Sequence, residues 1–187
     1  AILHCGAKPI LADIKEDGTI DSNSIELLIT NKTKAIIPVH IAGNVCNMES
    51  MMRLAKIYNL KIIEDSAQAI GASKLIGETA CFSFYPAKIL GAYGDAGAVV
   101  TNDEKIYEHI KKLRNHGGKP QPEMLGYNSR LDNLQAAILN IKFKYLDEAI
   151  KRRKWIAAKY DTVLIPKQAR EIYQDYKITR PKAAEPL

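Results

Sequence analysis

KAIIPVHIAGNVCNMESMMRLAKIYNLKIIED, the stretch from Lys34 to Asp65, switches its hydrophobic period twice. Lys34 to Val39 is a compact β-rich run that ends at His40. Asn47 then offers a side-chain oxygen to the start of a helix. Within that helix Met48, Met51, Met52, Ala55 and Tyr58 recur at helical spacing and predict one apolar face. Methionines in such a stripe belong to a core more readily than to a binding surface. Leu60 to Glu64 predicts the next strand, with Asp65 standing at its C-terminal end. Strand, helix, strand at this spacing is a βαβ unit, and it implies parallel strands. Ligands of open parallel sheets gather beyond the carboxyl ends of the strands, where His40 and Asp65 both fall.

Working outward, the same alternation continues. Pro9 to Ile14 predicts a strand, and Ser22 to Ile29 a short helix capped by Asp21 or Ser22. Ala80 to Tyr85 and Ala98 to Thr101 predict strands around a glycine-rich segment, and Asp103 to Arg114 a helix. One long helix is predicted from about Asp132 to Tyr160, with Leu134, Ala137, Ile138, Ile141, Tyr145 and Ala149 on one side. After Pro166 the chain becomes polar and irregular.

Composition bounds the function. The 187 residues are 47% hydrophobic and 26% charged, the balance of a globular protein with one sizeable core. The net charge of +6 sits partly in Lys151-Arg152-Arg153-Lys154, a run suited to a solvated helix face or to an anionic ligand such as a nucleotide diphosphate. No basic stripe is interleaved with aromatics, so nucleic acid is not an expected partner. Cys5, Cys46 and Cys81 are odd in number and far apart, which gives neither a zinc nor a disulfide framework. No metal is expected, and a reduced, cytoplasmic compartment is. No apolar run has the length of a membrane span and no secretion signal is seen, so a membrane is not an expected partner. The opening Ala1-Ile2-Leu3, without methionine, reads as a processed chain or a fragment.

The chemistry centres on Cys81-Phe-Ser-Phe-Tyr-Pro-Ala-Lys88-Ile-Leu-Gly91-Ala-Tyr-Gly94-Asp-Ala-Gly97. An aromatic strand leads through a proline turn to a lysine, and three glycines follow at every third position. Glycines there allow a bulky ligand close to the backbone. A lysine in a desolvated pocket gives up its proton more easily and can form an imine. Residue chemistry leaves Lys88 as either an imine-forming lysine or a surface one. Asp65 is similarly open: it can cap the following helix, or pair with a cation such as a protonated pyridine nitrogen.

Taken together, the motifs resemble one family. Asp65-Ser-Ala-Gln68-Ala-Ile-Gly-Ala, the Lys88 segment, Leu113-Arg-Asn-His-Gly117 and Gly126-Tyr-Asn128-Ser-Arg130-Leu-Asp132 are similar, in order, to four signatures of the DegT/DnrJ sugar aminotransferases. These enzymes use pyridoxal 5'-phosphate (PLP). The resemblance runs from the first residues to about Leu164. It implies an α/β fold: the three-layer αβα large domain of the type I PLP-dependent transferases, truncated at both ends. Residues 1–164 would be the PLP-binding large domain, ending in a linker helix, and 165–187 the start of a small domain. Ala72 to Ala80 is shorter than the family's stretch there, and the family's phosphate-cradling helix start is not found.

Roles follow by position. Lys88 would carry PLP and shuttle the proton of the reaction. Asp65 would pair with the pyridine nitrogen, Gln68 would lie near the ring's phenolic oxygen, and Ser83 would donate to the phosphate. Asn128 would reach the phosphate bound by a neighbouring subunit, which implies a homodimer with shared sites. His40 and His116 are read as structural or as site residues, and His40 is carried as a substrate-binding candidate. Arg130 would bind the sugar-nucleotide phosphates or form an ion pair at the dimer interface. The expected reaction moves an amino group from an amino acid, glutamate, to a nucleotide-linked keto sugar. A 3-keto sugar is favoured over a 4-keto sugar. The alternative within the family is a truncated, non-catalytic or regulatory relative. Outside it, a nucleotide-binding module lacks its Gly-x-Gly-x-x-Gly here, and Gln68 with Asn128 argue against a cysteine desulfurase.

Overall fold

The computed structural model describes residues 1–72 and 74–163. Nine elements follow in order: α1 (Ser22–Leu28), β1 (Ala35–Ile36), α2 (Met48–Tyr58), β2 (Lys61–Asp65), β3 (Thr79–Ser83), β4 (Gly97–Thr101), α3 (Glu104–Leu113), α4 (Asn133–Phe143) and α5 (Leu146–Val163). The strands form one sheet in the order β1-β2-β3-β4. The first three are parallel and β4 is antiparallel to β3. This is the mixed α/β arrangement expected for the type I transferase large domain. The predicted start of a small domain, 165–187, lies outside the described residues.

Local chemistry sets the element ends. Asp21 accepts from the Asn23 amide at 3.1 Å to open α1, and Asn47 accepts from the Ser50 amide at 3.0 Å to open α2. Asn59, left-handed at φ 50°, closes α2. The face of α2 that packs inward is Met48, Met51, Leu54 and Ala55. It meets Ile36 of β1 and Ile62 of β2, with Ile25 of α1 and Leu60 completing the cluster. Met52 and Tyr58, predicted on that face, are 40% exposed, and Leu54 takes the inward place.

Two other expectations are corrected. Pro9 to Ile14 is not a strand: its only ladder contact is an isolated bridge from Ile14 to Ile20, and Leu11 is 91% exposed. A short apolar run becomes a strand only where a neighbouring strand supplies the hydrogen bonds. The single helix predicted from Asp132 to Tyr160 is two helices. The Lys144 and Tyr145 amides bond three residues back, to Ile141 and Lys142, which tightens the chain and ends α4 before α5 begins. The inward side of the pair is Leu139 and Leu146, packed with Leu90 and Ala92. Leu134, Ile141 and Tyr145, part of the predicted apolar side, are more than half exposed.

Candidate functional site

β2 and β3 put the predicted site residues on one face. Asp65 is in register with Cys81, so their side chains lie on the same side of the parallel pair. Ser83, two residues on, shares that side. Gly97 of β4 stands opposite Ser83 and leaves the face clear there. A Cβ on Gly97 would come within 2.8 Å of the Phe82 carbonyl oxygen, so the close strand approach needs glycine. The opposite face carries Ile62, Glu64, Ala80 and Phe82, and its buried members belong to the core.

Cys81 reports how close Asp65 is. Burial pushes its thiol above the ordinary value, and the Asp65 carboxylate pushes it further. Cys46 is also raised, chiefly by burial, whereas Cys5 is exposed. Alkylation with iodoacetamide at neutral pH should therefore label Cys5 on the order of tenfold faster than Cys81, because the thiolate is the reacting form. Peptide mass spectrometry over time checks this, and equal rates would contradict the placement of Cys81 beside the carboxylate.

Lys88 follows in a turn, its amide donating to the Tyr85 carbonyl at 2.9 Å. The loop around it is closed at both ends. The Phe84 amide donates to Ala96 O and the Ala92 amide to Phe84 O, each at 2.8 Å. Leu90 and Ala92 are buried against α4. From α4, Gln135 accepts from the Tyr93 amide at 2.8 Å, and Lys142 Nζ donates to the Gly91 carbonyl. Lys88 itself is half-buried and makes no ion pair among the described residues. Ser83 Oγ accepts from the Tyr85 amide at 3.3 Å, which leaves its hydroxyl proton free to donate elsewhere. Asp65 Oδ1 accepts from the Ala67 amide at 3.1 Å in a turn, not at the start of a helix, since among the described residues β2 leads to β3 with no helix between them, and Oδ2 stays available.

Gln68 is exposed, and its Oε1 accepts from the Ala42 amide at 2.7 Å. His40 departs from expectation. It is 0% exposed, so it does not face a substrate. Its Nδ1 accepts from the Cys46 amide at 3.2 Å, which fixes the proton on Nε2, and Nε2 donates to Glu64 Oε2 at 2.9 Å. Glu64, also fully buried, accepts at Oε1 from the Ile76 and Gly77 amides at 2.7 and 2.6 Å. His40 is structural, and the short loop before β3 is tied to its partner.

The two downstream motifs are brought together. The Tyr127 amide donates to Leu113 O at 2.7 Å, His116 N to Tyr127 O at 2.9 Å, and Ser129 N to Arg114 O at 3.0 Å. A Cβ on Gly126 would lie 2.1 Å from Gly117 N, so both signatures need their glycines for this crossing. Asn128 and Arg130 are exposed, and His116 is left-handed at φ 58°. Leu131 beside Arg130 packs against the Leu90–Ala92 cluster. Sequence reasoning missed Glu64, Ala42, Gln135 and Lys142. Glu64 had a signal: strand alternation from Ile62 puts it on the core face, where an acid must find donors.

Two open crevices lie elsewhere. One of about 830 Å³ runs along α2 near Arg53 and Glu78, and one of about 330 Å³ lies between Phe82, Val100 and α4. Neither is lined by Asp65, Ser83 or Lys88. Among the described residues no group of three or more acids, histidines or cysteines could hold a metal ion, and no helix is long and apolar enough to cross a membrane.

An acid suited to a pyridinium and a hydroxyl suited to a phosphate at the carboxyl ends of two parallel strands, with an amine in the turn that follows, are the donor set a PLP-dependent transferase requires, and they fit that cofactor. Comparison with known proteins makes the class specific. Residues 1–181 match the DegT/DnrJ/EryC1/StrS aminotransferase family, and the chain belongs to it. Its cofactor is PLP. A dTDP-3-amino-3,6-dideoxy-alpha-D-galactopyranose transaminase of Aneurinibacillus thermoaerophilus is 50% identical, over 86% of this chain and 47% of its own. A pleiotropic regulatory protein of Geobacillus stearothermophilus is 43% identical, over 99% of this chain and 55% of its own. NtdA from Bacillus subtilis, solved with bound cofactor PMP, superposes with a TM-score of 0.83 at 34% identity, over 94% of this chain and 41% of its own. The chain spans about half the length of the curated relatives it matches.

Proposed function

We propose that the full-length protein transfers an amino group from glutamate to a nucleotide-linked keto sugar, with the 3-keto position favoured over the 4-keto. The observation that carries this is the common face of Asp65 and Ser83 at the carboxyl ends of β2 and β3, followed by the anchored Lys88 turn. When bound, PLP supplies the electron sink that lets a substrate carbon lose its proton. Lys88 Nζ would hold the cofactor in the resting protein and, once the substrate amine has taken its place and freed it, would move that proton between the substrate carbon and the cofactor's C4′ position. Asp65 keeps the ring nitrogen protonated, Gln68 lies by the phenolic oxygen, and the free Ser83 hydroxyl takes the phosphate. Arg130, exposed beside the Leu131 anchor, is assigned to the nucleotide phosphates, where its planar fork suits the geometry.

A homodimer completes the site in this reading. Asn128 is exposed, and in this reading it reaches the phosphate held by the neighbouring subunit. The exposed stripe of Leu134, Ile141 and Tyr145 on the neighbouring helices is the apolar surface that a second copy would cover. The 3-keto preference draws support from the 50%-identical relative named for a 3-amino sugar. The regulatory name of the Geobacillus relative favours a second reading, a family member that does not turn over.

The test is a panel of 3-keto and 4-keto sugar nucleotides offered to the full-length protein with glutamate. Amination of 3-keto substrates, with PLP fixed to the Lys88 peptide by borohydride, is the expected result. PLP fixed to Lys88 without turnover on any substrate would favour the regulatory reading. No adduct at all would end the enzyme reading.

A further inference from the structure

Gln68 is exposed, yet its amide is oriented from the protein side. A backbone N–H can bond only the oxygen of a side-chain amide, so the Ala42 contact turns Gln68 Oε1 toward the loop and its NH2 away from it. Ala42 can present that N–H because it is left-handed, with φ 52° and ψ 22°. A residue with a Cβ resists this conformation, so the surroundings must impose it.

Those surroundings are visible on both sides of the turn. Before it, the His40 amide donates to Asp65 O at 3.0 Å, and the Asp65 amide donates to Pro38 O at 2.9 Å. The buried His40 ring bridges the Cys46 amide and Glu64. After it, Gly43 is also left-handed, and buried Asn44 donates through Nδ2 to Asp17 O at 3.0 Å. The 40–46 segment is therefore clamped to the strand end that carries Asp65 and Gln68.

We propose that the left-handed Ala42 turn is a positioning device for Gln68. It makes Gln68 offer the cofactor's phenolic oxygen an N–H donor instead of a carbonyl oxygen. This rests on the functional reading above, which places Gln68 at the ring. A donor at that place favours the deprotonated phenolic oxygen and tightens cofactor binding. Ala42 acts through Gln68 and touches no substrate.

The Ala42 side chain is exposed, so substitutions there change backbone preference with little change in packing. The full-length protein loaded with PLP is the material, and the readouts are the PLP dissociation constant and the wavelength of the bound-PLP band. Gln68→Ala should weaken PLP about tenfold, the worth of one good hydrogen bond, and shift the band. Ala42→Val, with a β-branched residue that resists positive φ, should move both readouts the same way. Ala42→Gly should keep both near wild type. In a Gln68→Ala background, Ala42→Val should add nothing, because the two act as one unit. Wild-type behaviour of Ala42→Val, or a full additional effect in the Gln68→Ala background, overturns the proposal. So does a Gln68→Ala protein that binds PLP normally. Each of these leaves the Lys88 adduct intact, whereas a wild-type protein that takes up no PLP overturns the functional reading and this inference with it.

Discussion

Replacing Lys88 with alanine in the full-length protein should lower turnover by on the order of 10⁴-fold or more, with both kcat and kcat/KM falling. Two functions are lost at once in the proposed mechanism: the amine that holds the cofactor and the base that moves the proton. No neighbour is free to replace it in the loop, since Lys142 spends its Nζ on the Gly91 carbonyl. Lys88→Arg should be as inactive as the alanine variant, because a guanidinium does not give up its proton. Stability should barely change, within about 0.5 kcal/mol, since Lys88 is half-buried and holds no ion pair among the described residues. Steady-state kinetics beside thermal unfolding reads both halves. Turnover above about one part in a hundred in either variant would remove Lys88 from the chemistry, given the size of effect asked of it.

The sequence-level reading succeeded where one local rule decides, and failed where a neighbour decides. β2, α2 and their caps were legible because alternation, helical spacing and a capping Asn47 agree over the same residues. Asp65, Ser83 and Lys88 were legible as residues, but the common face of Asp65 and Ser83 needed the Asp65–Cys81 register, which no single strand contains. The Pro9 to Ile14 run has good strand composition and no strand beside it, so propensity alone misled. The α4–α5 break escaped because no glycine or proline marks it; two amides shift from four-residue to three-residue bonds. Within α4 itself Leu139 turns in while Leu134 and Ile141 stay outside, and across the break Leu146 turns in from α5. Ala42 was invisible for a related reason. A left-handed alanine is imposed by contacts on either side of it, and the residue type itself argues against it.

Glu64→Gln, a change of one atom, should cost about 2–4 kcal/mol of stability, the sum of a lost charge-assisted bond and an unpaired buried donor. Every group around Glu64 donates to it: the Ile76 and Gly77 amides at Oε1, and His40 Nε2 at Oε2. His40 cannot reverse its role freely, because its Nδ1 must stay unprotonated to accept from the Cys46 amide. The contact is thus a hydrogen bond from a neutral imidazole to an acceptor-only carboxylate, not a pair of full charges. Glutamine brings one oxygen and an NH2 group. If the oxygen faces the loop amides, the NH2 meets His40 Nε2–H. If the histidine proton moves to Nδ1 to relieve this, it meets the Cys46 N–H. If the amide is turned over, the NH2 meets Ile76 and Gly77. Each arrangement sets donor against donor in a site that admits no water at Glu64 or His40, both 0% exposed. His40→Gln should cost less, about 1 kcal/mol, because glutamine carries one donor for Glu64 and one acceptor for Cys46. Urea unfolding checks the order of the two variants: the midpoint should fall further for Glu64→Gln, with the slope unchanged. A Glu64→Gln protein as stable as wild type would mean that the carboxylate is not the acceptor-only hub of this network. The loop before β3 would then be held to the sheet by something else.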